Sequence, residues 1–163
     1  MTNRMIKALG ATAMLASAFG ATQAGAATAN ADAKAKIFKQ ITVTKTADLD
    51  YATIVPSATA ASTVAVTTGG VRTCGANLVC SGGTTAAAFG VTGSIGAVTT
   101  VSVPATVSLS SGGNTMSSTL VASAATLTLA ATNSFTVGGT LSVGANQAEG
   151  VYSGAFTVTV DYQ

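Results

Sequence analysis

From Tyr51 to Ala148 the chain alternates β-branched or apolar residues with small polar ones and carries a single charge, Arg72. Val and Thr lose side-chain freedom in a helix but fit a pleated, half-buried surface. A period of two therefore predicts strands. The clearest runs are Thr63 to Val66, Ala87 to Val91, Val101 to Val103, Val107 to Leu109, Ala125 to Leu129, Phe135 to Val137, Leu141 to Val143 and Ala155 to Tyr162. Gly-Gly pairs beginning at 69, 82, 112 and 138 punctuate them as turns. Alanine is abundant, but no segment after Ala26 sustains the 3.6-residue helical period. Short strands with turn signals at about 8–12-residue spacing predict an all-β, immunoglobulin-like, two-sheet β-sandwich.

The N-terminus reads differently. Arg4 and Lys7 precede an apolar run from Ala8 to Ala21, which is shorter than the ~20 residues of a membrane-spanning helix, and small residues follow at once. This is the pattern of a cleavable signal peptide rather than a transmembrane anchor, so the chain is expected to be exported. Small-x-small cleavage patterns end at Ala24, Ala26 and Ala31, and Ala26 is the preferred site. Removing 26 of the 163 residues leaves 137, which suits one domain. It also removes two of seven basic residues, leaving five against five acids. The remaining lysines cluster at 34, 36, 39 and 45 beside Asp32, so no basic face is expected for nucleic acid.

In an exported chain the single cysteine pair, Cys74 and Cys80, reads as a disulfide closing a short loop. The spacing is not Cys-x-x-Cys, and no histidine is present to complete a zinc site. The absence of histidine also excludes Ser-His and Cys-His nucleophile pairs. Ser-x-x-Lys, Gly-x-Ser-x-Gly and Gly-x-Gly-x-x-Gly are likewise missing. Asp48 and Asp50 are the one close carboxylate pair; they read as a solvated strand entry, against a glycosidase or calcium alternative. Tyr51, Tyr152 and Tyr162 fit core or rim positions, with sugar stacking as the alternative. The expectation is a non-enzymatic protein with no catalytic residue, cofactor or metal.

Two segments carry more specific information. In the last strand Phe156, Val158, Val160 and Tyr162 point one way, and Thr157, Thr159 and Asp161 the other. After the leader, Ala27, Ala29, Ala31, Ala33, Ala35, Ile37, Ile41 and Val43 alternate with polar residues, broken only at Phe38 and Lys39. One strand from Ala27 to about Lys45 would far exceed the usual length of about 5–6 residues. The division expected is a leader over 1–26, a free extension over 27–36 and a sandwich over 37–163 whose first strand covers about 37–45. The alternative is that the Ala repeat is the tail of the leader.

The runs Ile41 to Val55, Ala87 to Gly93, Phe135 to Val143 and Gly150 to Tyr162 resemble the bacterial exported family called domain of unknown function 4402. The C-terminal strand is also similar to that of chaperone-usher pilin subunits. Those end in a strand with a glycine fourteen residues from the C-terminus, alternating apolar residues and a penultimate tyrosine. The corresponding residues are Gly150, then Phe156, Val158 and Val160, then Tyr162. The resemblance implies that this strand borders an acceptor groove recognised by a periplasmic chaperone, and that Ala27 to Ile37 forms a donor strand. It further implies copies of the same or related subunits as partners, with an outer-membrane usher. The alanines are smaller than the donor residues usual in pilins. The function expected is a structural subunit of a bacterial surface fibre assembled by donor-strand exchange, located in the periplasm, at the cell surface or in an extracellular fibre. The alternative is a self-contained secreted sandwich serving as a surface, matrix or carbohydrate-binding module.

Overall fold

A computed structural model describes residues 25–163, so the predicted leader lies outside the described residues apart from Gly25 and Ala26. The described chain is all-β. Its strands are β1 (Thr42–Ala47), β2 (Thr53–Val55), β3 (Ser62–Val66), β4 (Arg72–Cys74), β5 (Val79–Ser81), β6 (Ala87–Thr92), β7 (Val98–Ser102), β8 (Thr106–Ser111), β9 (Asn114–Ala122), β10 (Thr126–Thr128), β11 (Asn133–Val143) and β12 (Thr159–Tyr162). All pairings between them are antiparallel. The largest sheet runs β1-β6-β11-β3-β4, with β9 on β11 and β8 on β9; β10-β7-β12 and β2-β5 form smaller sheets.

Alternation decides which side chains enter the core. Phe89, Val91, Leu120, Phe135 and Val137 from the large sheet meet Val101 and Val160 from the three-stranded sheet, with Leu129 between. This is the packing of a β-sandwich. Fully burying each such side chain contributes roughly 1.5–3 kcal/mol. The Phe89 and Phe135 rings stack with centroids 5.2 Å apart, and Phe156 meets Phe89 edge-on at 6.3 Å. A second cluster joins Tyr51, Val64, Val66, Leu141 and Val143.

Three strand expectations are corrected. The Gly138-Gly139 pair is no turn: it lies inside β11, an eleven-residue strand that joins the two runs on either side. Val137 pairs with Ala87 of β6 and Ala122 of β9, whereas Gly139 pairs with Val66 of β3 and Leu120 of β9. One edge of β11 thus passes from β6 to β3 at the glycines. A Cβ on Gly138 would lie 2.5 Å from the Val66 carbonyl oxygen and 2.6 Å from the Thr67 carbonyl carbon, so close backbone approach is what requires glycine here.

The first strand begins at Thr42, not near Ile37. Residues 25–41 form no strand despite their alternation, and the paired strands all belong to the unit Lys36–Gln163. The C-terminal strand is also shorter than its pattern: β12 starts at Thr159, and residues 155–158 alternate between exposed and half-buried without joining a ladder. Side-chain period reports which face is apolar; a ladder needs a neighbouring backbone as well.

Candidate functional site

A groove lies beside the second core cluster. Leu109 of β8, Met116 of β9, and Leu141 and Val143 of β11 form the floor of this groove of about 670 Å³. One wall is residues 49–56, containing β2, and the other is residues 147–152. Leu49, Ile54, Leu109 and Met116 pack against the buried cluster yet remain half exposed, so the groove opens onto the core itself. Val55 and Val151, on opposite walls, are exposed at 54% and 90%.

Local chemistry builds both walls. Asp50 exchanges backbone hydrogen bonds with Thr85 and then turns the chain: its carboxylate accepts the Ala52 N–H at 2.7 Å while Ala52 takes a φ of 58°. That turn delivers β2 to the groove. Along one edge β2 pairs with β5, Ile54 opposite Cys80. Cys80 is disulfide-bonded to Cys74 of β4, as expected of the single cysteine pair, so the bridge ties the β2-β5 wall to the large sheet. Among the described residues the other edge of β2 has no strand partner.

The facing wall is held by side chains rather than by a ladder. Tyr152 donates its hydroxyl hydrogen to the Ala148 carbonyl at 2.8 Å and accepts from Gln147 Nε2 at 2.8 Å. The Asn146 N–H donates to the Ser57 carbonyl at 2.7 Å and links the two walls at one end. Gly150 sits in this wall with a φ of 153°, and a Cβ there would strike the Ser111 hydroxyl. Beyond it, Ser153 bridges to Ser110 of β8. The edge of β2 that lacks a strand partner and the irregular segment 147–152 therefore flank an apolar floor.

Beneath the groove, Tyr51 is buried, and its hydroxyl hydrogen-bonds to Ser118 Oγ at 2.5 Å. Ser118 in turn donates to the Thr119 carbonyl at 3.0 Å. Burial pushes the Tyr51 phenol above its ordinary value, and the Ser118 hydrogen bond opposes that rise. A buried ring cannot stack on a sugar, which removes Tyr51 from the glycan alternative. Tyr152 lines the groove, and Tyr162 lies elsewhere.

The residues singled out from the sequence are divided between places. Phe156, Val158, Val160 and Tyr162 all turn toward the first core cluster, as their alternation predicts. Only Gly150 of that set lines the groove. Ala27, Ala29, Ala31, Ala33 and Ala35 are exposed in a segment without strand pairing, and Ile37 is 92% exposed. Asp48 and Asp50 do separate work: Asp48 pairs with Lys45 at 2.6 Å, while Asp50 makes the turn into β2. The sequence reading missed the 49–56 wall and the floor residues Leu109 and Met116. The apolar residues Leu49, Tyr51, Ile54 and Val55, close together in sequence, were the available signal.

Residues 41–162 match the family described as Domain of unknown function (DUF4402). No curated protein and no solved structure matches the chain.

Proposed function

The chain belongs to the family described as Domain of unknown function (DUF4402), and from that premise we propose that it is an exported, pilin-like structural subunit of a bacterial surface fibre. Each copy supplies an extended segment, residues 27–37, that completes the sandwich of the next by donor-strand exchange. The observation that carries this reading is the groove over the second core cluster, flanked by the unpaired edge of β2 and by residues 147–152. An added strand would cover half-exposed core side chains and pair with the open edge of β2. Such a contact joins two different surfaces and does not close, so repetition yields a fibre.

The partners this reading requires are other copies or related subunits, a periplasmic chaperone that shields the groove before assembly, and an outer-membrane usher. The test is electrophoresis without heating of protein exported together with its own assembly proteins. A detergent-resistant ladder that disappears on deletion of residues 27–36 is expected. A chain that remains a heat-reversible monomer, stable without a chaperone, would overturn the proposal.

A further inference from the structure

Of the charged residues in the described chain, two line the groove, and both are acids. Asp50 stands on one wall and Glu149 on the other, both exposed. No lysine or arginine lines it. The segment 27–37 carries the opposite charge where it matters. In an extended strand alternate residues face opposite ways, so seating Ala33, Ala35 and Ile37 on the floor leaves Lys34 and Lys36 on the outer face, level with the rims.

Resting on the donor-strand reading, we infer that residues 27–37 of a second copy occupy this groove, with Lys34 and Lys36 directed to Asp50 and Glu149. The apolar face and the hydrogen-bonding edges supply the bulk of the attraction, while the lysine-acid pairs set register and speed encounter. A register slip of one residue would place the lysines on the apolar floor and the alanines in water. Asp32 shares the outer face with the lysines and lies 3.9 Å from Lys34, but both side chains are more than 85% exposed, so Lys34 is free to exchange partners. The charges also explain why small donor residues suffice: the strand is recognised on both faces.

The test measures binding of a fluorescently labelled peptide, residues 27–39, to the full mature chain by anisotropy. Binding is expected, weakened by raising sodium chloride from about 50 mM to about 500 mM, since a Debye length of about 10 Å at 0.1 M contracts further. Replacing Lys34 and Lys36 by Gln in the peptide is expected to weaken it roughly threefold to tenfold, the range of two exposed ion pairs. Asp50→Asn with Glu149→Gln in the chain should do the same, because Asn retains the acceptor for Ala52. A charge exchange that keeps this acceptor, Asp50→Asn with Glu149→Lys against a peptide with Glu at 34 and 36, should recover part of the lost binding. Peptide binding that ignores both salt and these substitutions would overturn the charge assignment and leave donor-strand exchange standing. A chain that neither takes the peptide nor polymerises would overturn both.

Discussion

The Tyr162 hydroxyl joins the last strand to the segment preceding the first: it donates to the Lys39 carbonyl at 2.6 Å and accepts the Ser94 N–H at 2.8 Å. The Phe38 ring stacks on the same tyrosine at a centroid distance of 4.6 Å, and the Lys39 N–H donates to Ser94 Oγ at 2.6 Å. The penultimate residue thus anchors residues 38–39, immediately beyond the proposed donor segment.

Tyr162→Phe keeps the ring and its stacking but removes both hydrogen bonds, leaving the Ser94 N–H without its partner. A loss of about 1–3 kcal/mol in unfolding free energy is expected, measured by denaturant titration. Hydrogen exchange should quicken at the Ser94 and Lys39 amides, while the large sheet retains its protection. Unchanged exchange at both amides would show that the hydroxyl does not anchor the segment.

Tyr51 provides a pH-dependent prediction. Its folded-state pKa is raised from the ordinary 10.0, so the folded chain holds the phenolic proton more tightly than the unfolded chain does. Its contribution is complete below pH 10.0 and declines as pH rises from there through the folded value. Tyr51→Phe should flatten the alkaline fall of stability relative to the parent chain, as read from melting temperatures across that range. At neutral pH the same substitution leaves the buried Ser118 hydroxyl without one partner, at a cost of about 1 kcal/mol.

The disulfide makes a local prediction. The ring closed by Cys74 and Cys80 is short, and by chain entropy such a bridge contributes about 2 kcal/mol. Its particular effect is on the groove, because β2 reaches the large sheet through β5 and this bridge. Replacing both cysteines by serine should therefore raise exchange at Thr53–Val55 and Val79–Ser81 more than at β6 or β11, and should weaken peptide 27–39 binding. Uniform loosening across the whole sandwich would contradict this arrangement.

How far these features were legible follows from the range of the physics. The inward set Phe156, Val158, Val160 and Tyr162 was readable because facing is a property of one extended segment. The Cys74–Cys80 bridge was readable because the two residues are neighbours in sequence. The role of Gly138-Gly139 was not, because adjacent glycines read locally as a turn. The reason for them is the approach of Val66 and Thr67 from a strand some seventy residues earlier. The groove was hidden for the same reason: its floor and walls come from residues 49–56, 109, 116, 141, 143 and 147–152.

The amino-acid sequence by itself determined that this chain forms β-structure and which face of each strand is apolar, since both follow from the nature and alternation of neighbouring residues. Only the tertiary structure decided which alternating segments acquire partners. Residues 27–36 and 155–158 carry strand patterns yet join no ladder, whereas β11 runs unbroken through two glycines. Pairing depends on a second backbone about 4.8 Å away, and what supplies that backbone is distant in sequence. The unfilled edge of β2 over the half-exposed core is the consequence on which the proposed assembly rests.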